Sequence, residues 1–123
     1  MSVRAALGLA GEQAAARYLK RHGYRVVDRR WSCRFGEIDL VAEYGDEVVF
    51  VEVKTRTGGS FGGGAAAVGF RKSARLRAAA FSYLQRKGLV GCPFRIDVVT
   101  VEPVRFGRFR ISHLPAAVGE EED

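Results

Sequence analysis

The sequence has few of the cysteines and histidines that stabilise small secreted proteins and zinc proteins. It contains two cysteines and two histidines, all far apart in the chain: Cys33, Cys92, His22 and His113. Two scattered cysteines make neither a disulfide framework nor a zinc site, so we expect both to be buried as small hydrophobic residues. Neither histidine has catalytic neighbours in the sequence, and no Ser-His-Asp or Cys-His arrangement is indicated.

The sequence also lacks the segments that would place it in or across a membrane. No apolar run approaches the roughly 20 residues of a membrane-spanning helix, and no secretory signal is visible at the N-terminus. We therefore expect a cytoplasmic protein without a membrane partner. The glycine-rich stretch GGSFGGG at 58–64 lacks the Gly-Lys-Ser/Thr ending of a P-loop, which excludes an ATPase of that class. It is either a flexible connection or a loop that closes over substrate.

The length and net charge of the chain limit the classes of protein that remain possible. The 123 residues suffice for one domain, which we place at 1–115, followed by a disordered acidic tail at 116–123. Twenty Lys and Arg against fourteen Asp and Glu give a net charge of +6. This balance favours a polyanionic partner, DNA in the first place and RNA as a second option. It leaves open whether the protein is a homodimer.

The most regular stretch of the chain is a β-hairpin at 34–56, built around a Gly45-Asp46 turn. Glycine at the first position of a two-residue turn is typical of a primed hairpin turn, whose twist matches that of the strands. Counting outward from this turn sets the register, and side chains alternate between two faces. One face carries Glu43–Val48, Val41–Phe50, Asp39–Glu52 and Glu37–Lys54, and the other carries the apolar pairs Ile38–Val53, Leu40–Val51 and Ala42–Val49.

The first of these faces sets two carboxylates, Asp39 and Glu52, directly opposite each other. Like charges opposed across a strand pair destabilise it, and a bound cation would explain why they are there. Carboxylate oxygens suit Mg²⁺ or Mn²⁺, which completes its coordination with water and substrate phosphate. Lys54 shares the face, where it can serve the attacking water or neutralise charge at phosphorus, and Glu37 holds Lys54 or acts as an outer acid. The alternative is a surface ion-pair cluster of the same four residues.

Two amphipathic helices are predicted to cover the sheet. Apolar residues at helical spacing indicate one helix at 5–22, ended by Gly23, and a second at 70–87, ended by Gly88. Glu12 lies at the border of the first helix's apolar stripe, where it either reaches water or leans toward the hairpin as a third carboxylate. The second helix has no acidic residue, and its basic side chains gather on one side, which favours phosphate contact over a plain solvated face: Arg71, Lys72, Arg75 and Arg86.

Three further strands are predicted at 24–31, 94–101 and 108–113. Trp31 stands among arginines, where it either packs at its strand end, the reading we favour, or meets nucleic acid. Asp97 lies within an apolar strand and needs a partner when buried, for which we expect a helix arginine such as Arg77. The order α-β-β-β-α-β-β predicts an α/β or α+β domain of three layers, with helices flanking a central mixed sheet.

Two blocks of the hairpin carry a resemblance to a known class of enzymes. GEIDLVA at 36–42, followed by VVFVEVKTR at 48–56, resembles the core of the PD-(D/E)xK nucleases, with Asp39 as the first acid and Glu52-x-Lys54 as the second part. The chain to about Leu114 is similar to the YraN-like family of small bacterial proteins, with further shared blocks such as FGGGAAAV and RIDVV. The resemblance implies a restriction-endonuclease-like fold and nucleic-acid binding.

The sequence therefore predicts an Mg²⁺- or Mn²⁺-dependent endonuclease acting on DNA phosphodiesters, with structure-selective repair or recombination as one option. The predicted catalytic residues are Asp39, Glu52 and Lys54, with Glu12 and Glu37 as additional acids. The predicted metal ligands are Asp39, Glu52 and the backbone carbonyl of Val53, and the predicted nucleic-acid contacts are Arg56, Arg71, Lys72 and Arg75. The alternative is a non-catalytic nucleic-acid-binding accessory protein with the same fold.

Overall fold

The structure, a computed structural model, describes residues 2–57 and 70–118 of the chain. Within these ranges the elements follow the predicted order, with the bounds α1 Val3–Arg21, β1 Arg25–Cys33, β2 Gly36–Tyr44, β3 Glu47–Thr55, α2 Phe70–Arg86, β4 Phe94–Pro103 and β5 Phe109–Leu114. The glycine-rich stretch 58–64 and residues 119–123 of the predicted tail lie outside the described residues. In the described ranges, no helix has the length and apolar character needed to cross a membrane.

The strands form one mixed sheet in the order β1-β2-β3-β4-β5. The neighbours β1–β2, β2–β3 and β4–β5 run antiparallel. β3 and β4 run parallel, because the chain between them crosses over through α2 before it re-enters the sheet. The helices pack on opposite faces of this sheet, which confirms the predicted three-layer α+β arrangement.

Each helix covers its own hydrophobic layer. Beneath α1, small side chains let the helix approach the central strands closely, and the buried residues there are Ala15, Ala16, Leu19, Leu40, Ala42, Val49, Val51, Val99 and Val101. Beneath α2 the layer is richer in large residues, and includes Ile38, Val41, Phe50, Leu76, Tyr83, Leu84 and Ile96. Trp31 packs against this second layer with its ring edge-to-face on Tyr83, at 5.1 Å between centroids, so the packed alternative is confirmed. Cys33 and Cys92 are free and half-buried against the same layer.

The hairpin turn has the predicted geometry. Gly45 adopts φ +61°, a left-handed conformation that glycine takes without a Cβ clash, and Tyr44 pairs with Glu47 across the two-residue loop. From there the predicted register is confirmed pair by pair as far as Leu40 and Val51.

Beyond Leu40 and Val51 the pairing of β2 with β3 ends, one pair short of Asp39 and Glu52. Oδ2 of Asp39 accepts a hydrogen bond from the Val53 backbone N–H at 2.8 Å, so a side chain takes the place of a strand partner. The predicted strand pair Asp39–Glu52 is therefore replaced by a side-chain contact one residue further along β3.

The alternation of side chains changes at the same place. Ile38 packs beneath α2 together with Val41, whereas Leu40 packs beneath α1. The prediction that Ile38 and Leu40 share a face is wrong, and the alternation breaks at Asp39, which has no strand partner in β1 or in β3.

Asp97 is fully buried, but its predicted partner is wrong. Alternation along β4 turns Asp97 toward α1, while Arg77 lies on α2 at the opposite face of the sheet. The Asp97 carboxylate accepts hydrogen bonds from Arg95 Nε at 3.0 Å and from the Ala116 N–H at 2.8 Å, and His113 Nε2 lies 2.8 Å away. Asp97 thus ties β5 and the segment after it to the centre of the sheet.

The packed chain extends past the domain end that we placed at residue 115. Val118 is buried in the layer beneath α2, and its N–H donates to the carbonyl of Ile96 at 3.3 Å. Together with the bond from Ala116 to Asp97, these contacts make residues 116–118 part of the folded domain.

Gly11 sets how closely α1 approaches the sheet. A Cβ added at this buried glycine would collide with Thr55 Oγ1 and lie 2.8 Å from Val101 Cγ2. Gly11→Ala is therefore expected to push α1 away from β3 and β4, with a loss of roughly 1–3 kcal/mol in the free energy of unfolding, as overpacking typically costs. Urea denaturation measures this loss directly.

The matched control is Gly8→Ala, in the same helix, because a Cβ at Gly8 meets nothing within 4 Å. This change is expected to leave stability unchanged or raise it by up to about 1 kcal/mol, since alanine favours helix over glycine. Equal effects of the two substitutions would contradict a close contact between α1 and the sheet at Gly11.

Candidate functional site

Asp39 and Glu52 lie where the pairing of β2 with β3 ends, and both line one cleft. The side chain of Glu52 is 8% exposed, and Asp39 is half-buried. Two carboxylates removed from water at one place repel each other more strongly than they would at an open surface. The structure thus brings together the two acids that the sequence predicted to meet.

The surroundings of Asp39 favour its protonated form. Burial raises the pKa of its carboxyl most and the Glu52 carboxylate raises it further, so that it reaches about 7. The hydrogen bond from the Val53 N–H acts in the opposite direction and is outweighed. Near neutral pH this position therefore favours a proton or another cation over an open pair of charges.

Two more carboxylates act on Asp39 from neighbouring elements. The charges of Glu12 on α1 and of Glu37 on β2 both raise the pKa of Asp39. Glu12 Oε1 accepts a hydrogen bond from Arg30 Nε at 3.0 Å, so Glu12 leans toward the strands rather than only into water. Glu37 is exposed and lines the cleft. Both therefore add negative charge around Asp39 from the rim of the site.

Lys54 is half-buried on β3, two residues beyond Glu52. Burial lowers the pKa of its ammonium most, Lys72 lowers it further, and the Glu52 carboxylate opposes both. Arg56 also lowers this pKa by its charge. A lysine in such surroundings gives up its proton more readily than an exposed lysine, which suits a group that handles a proton in catalysis.

Lys72 contacts Glu52, a partner that the sequence does not predict for it. Its Nζ lies 2.6 Å from Glu52 Oε2, and it reaches the acid from α2 rather than from the hairpin. The lack of acidic residues in α2 predicted a partner for its basic side chains, but we expected that partner to be phosphate. No pattern in the sequence indicates how far along the sheet α2 lies. This placement determines which acid Lys72 contacts.

A cleft of about 470 Å³ between α2 and the start of β2 joins Glu37, Asp39 and Glu52 to Lys72 and Arg75, while Lys54 and Glu12 lie outside its lining. It is lined by Phe35, Gly36, Glu37, Asp39, Glu52, Lys72, Arg75, Leu76 and Ala79. The strand wall is acidic and the helix wall is basic. Such a cleft has places for a cation and for a phosphate next to each other.

The remaining predicted contacts to nucleic acid differ in position. Arg75 is exposed and lines the cleft. The backbone N–H of Arg56 donates to the carbonyl of Val101 at 2.9 Å, while its buried Nε has no hydrogen-bond partner among the described residues. A buried donor without a partner is costly, and an anion placed there would satisfy it. The side chain of Arg71 lies outside the described residues.

The residues at the site fit a hard divalent cation. In the two described ranges, no three His, Cys, Asp or Glu side chains converge to hold a metal by themselves. Mg²⁺ needs only one or two carboxylates beside water and substrate phosphate, and its charge would relieve the repulsion between Asp39 and Glu52. Val53 can add a carbonyl oxygen, because its N–H points to Asp39 and the N–H and C=O of a strand residue point to the same side.

Fold and site together define an α+β domain with an acid–lysine cluster beneath a basic helix. The chain belongs to the uncharacterised protein family UPF0102, whose family model matches residues 11–101, and this confirms the resemblance to YraN-like proteins. It is 46% identical over 115 residues to a UPF0102 protein of Pelotomaculum thermopropionicum, covering 93% of this chain and 96% of the relative.

Other bacterial relatives are similar to a comparable degree. A UPF0102 protein of Mycolicibacterium vanbaalenii is 49% identical over 108 residues, covering 88% of this chain and 87% of the relative. One of Myxococcus xanthus is 46% identical over 110 residues, covering 89% and 86%. The region matched by the family model, residues 11–101, contains Asp39, Glu52, Lys54 and Lys72.

Proposed function

We propose that this protein is a nuclease that hydrolyses DNA phosphodiester bonds with the help of Mg²⁺ or Mn²⁺. The observation that carries the proposal is the meeting of Asp39 and Glu52 in a cleft whose other wall is basic, with Lys54 near enough that both acids act on its charge. In a purely structural ion-pair cluster, cationic partners would lower the pKa of Asp39, whereas burial and Glu52 raise it. The resemblance of the hairpin to the PD-(D/E)xK core supports the same class and a restriction-endonuclease-like fold.

Each group of the site has its own role in this reaction. A divalent cation held by Asp39, Glu52 and the Val53 carbonyl would supply Lewis acidity at the phosphate and lower the pKa of water. Lys72 and Arg75 bind the phosphate backbone along the helix wall. Lys54 takes a proton from the attacking water, or stays charged and stabilises the charge that develops at phosphorus.

A second candidate, a protein that binds nucleic acid without cleaving it, is favoured by one observation. The ammonium of Lys72 lies on Glu52 at 2.6 Å, where it neutralises the acid as a divalent cation would. In a nuclease, Lys72 must leave Glu52 when metal and phosphate enter the cleft. In a pure binding protein, this ion pair would remain and keep the basic helix in place.

The test is cleavage of a panel of labelled DNA and RNA molecules by the purified protein. The panel comprises single strands, duplexes, flaps and four-way junctions, each incubated with Mg²⁺, with Mn²⁺ or with EDTA, and the products are separated on denaturing gels. We expect cuts in DNA that require the divalent cation and are absent in EDTA.

The control is a double substitution, Asp39→Asn with Glu52→Gln, purified in the same way. These changes keep the shapes of both side chains and remove both charges, so cleavage is expected to vanish while the fold, checked by circular dichroism, persists. Equal cutting by parent and variant would assign the activity to a contaminant. Binding of DNA without metal-dependent cuts in any molecule of the panel would support the non-catalytic alternative.

A further inference from the structure

A second cleft lies along α2 next to the acidic one. Its volume is about 390 Å³, and it is lined by Arg34, Phe35, Ala78, Phe81, Ser82, Gln85 and Arg86. Phe35 lines both clefts, so the two adjoin each other along α2. From Lys72 to Arg86, which line one cleft each, the helix rises by about 21 Å, at 1.5 Å per residue.

The second cleft combines aromatic rings with positive charge. Phe81 is 49% exposed, although a large apolar side chain on a helix is usually turned to the core. The guanidinium carbon of Arg34 lies 4.9 Å from the centre of the Phe35 ring, and that of Arg86 lies 5.8 Å from the ring of Trp31. None of the seven lining residues is acidic, in contrast to the first cleft.

This composition suits a strand with unpaired bases. Aromatic side chains hold unpaired bases by stacking, and arginines bind the phosphates between them. In a duplex both faces of a base are stacked on its neighbours, so an exposed phenylalanine finds no free ring face there. Contacts to phosphate alone would not explain why the apolar ring of Phe81 is exposed to solvent.

We propose that the second cleft binds the unpaired bases of a DNA strand whose phosphate backbone enters the acidic cleft. The inference rests on the proposed nuclease function, and it names the substrate class: DNA with a single-stranded segment next to the bond that is cut. Phe81 stacks on a base, Phe35 marks the passage between the clefts, and Arg34 and Arg86 hold the flanking phosphates.

The experiment measures binding in EDTA, so that it does not depend on cleavage. Fluorescein-labelled oligonucleotides are titrated with parent protein and with Phe81→Ala, using a 20-nucleotide oligo-dT strand and a blunt 20-base-pair duplex, and anisotropy is recorded. Because stacking on one aromatic side chain contributes roughly 1–3 kcal/mol per base, we expect the affinity for the strand to fall about fivefold to more than a hundredfold. The affinity for the duplex is expected to stay unchanged.

The matched control is Phe94→Ala. Phe94 is 40% exposed, lies on β4 beside Val48 at the end of the sheet near the hairpin turn, and lines neither cleft. It is expected to leave both affinities unchanged, and thermal unfolding of the variants checks that each is folded. Equal losses for Phe81→Ala and Phe94→Ala would trace the effect to stability rather than to stacking.

Three outcomes would overturn the inference and leave the proposed nuclease function standing. In the first, the parent protein binds the duplex but not the single strand. In the second, Phe81→Ala binds the strand with the parental affinity. In the third, Phe81→Ala loses affinity for strand and duplex equally. A change of oligomeric state in Phe81→Ala, with strand affinity intact, would assign Phe81 to a contact between copies of the chain. Conversely, if Phe81→Ala selectively loses strand binding and the parent cuts no DNA, the second cleft binds single strands and the proposed nuclease function is rejected.

Discussion

Lys54→Ala is expected to slow DNA cleavage by roughly 10²–10⁴-fold while DNA still binds. The ammonium is half-buried beside Glu52 and Asp39, and burial, Lys72 and Arg56 all lower its pKa. Whether it accepts a proton or stabilises charge at phosphorus, its contribution is made in the transition state. Lys72 and Arg75 stay on the helix wall, so binding to the backbone persists.

Single-turnover cleavage measures the chemical step, and anisotropy in EDTA measures binding. Lys20→Ala is the matched control, because Lys20 is an exposed lysine in the last turn of α1, and it is expected to cleave at the parental rate. The pH dependence of the parent separates the two roles of Lys54. A rate that rises with pH through the lowered pKa of Lys54 indicates a base, and a rate that falls there indicates a cation. A Lys54→Ala variant that cleaves as fast as the parent would remove Lys54 from the mechanism.

The hairpin could be predicted from the sequence because its rules are local. A glycine at the first turn position fixes the loop at two residues, and the period of two then assigns every pair. This holds from Glu43–Val48 to Leu40–Val51. It fails at Asp39, because a carboxylate that captures the Val53 N–H competes with the strand ladder, and side-chain capture of this kind has no period.

The partners of the charged residues could not be predicted, because they depend on how the layers are stacked. Alternation showed that Asp97 is embedded in a strand, but whether it faces α1 or α2 depends on which side each helix covers. Likewise, the basic side of α2 was visible in the sequence, while the contact of Lys72 with Glu52 depends on how far along β3 the helix lies. The acids and lysine of the site were predictable because they belong to one hairpin.

The second large effect is expected for Asp39→Asn, which should raise stability in the absence of metal at neutral and alkaline pH. The pKa of Asp39 is 3.8 in an unfolded reference and about 7 in the folded protein. The folded state therefore holds this proton more tightly, so the stability of the parent falls as the pH rises from about 4 to 7 and stays low above it. At about 1.4 kcal/mol per pKa unit, the difference between these two values gives a loss of roughly 4 kcal/mol at pH 8.

Asparagine removes this loss without losing the local structure. Its side-chain oxygen can still accept the Val53 N–H, and its amide can donate to Glu52. In EDTA the variant is therefore expected to unfold at the parental temperature near pH 4 and several degrees higher than the parent at pH 8. Scanning calorimetry at a series of pH values measures both curves.

Adding Mn²⁺ at pH 8 should raise the unfolding temperature of the parent more than that of Asp39→Asn. The parent binds the cation with two carboxylates and gains stability by linkage, whereas the variant has lost one anionic ligand and should gain much less. Asp28→Asn is the control, because Asp28 is held by Tyr83 and lies outside the lining of the acidic cleft. It is expected to gain as much from Mn²⁺ as the parent. If Asp39→Asn is destabilising at pH 8 in EDTA and still gains as much from Mn²⁺ as the parent, then Asp39 is held for structure, and a cation at this place depends on other residues.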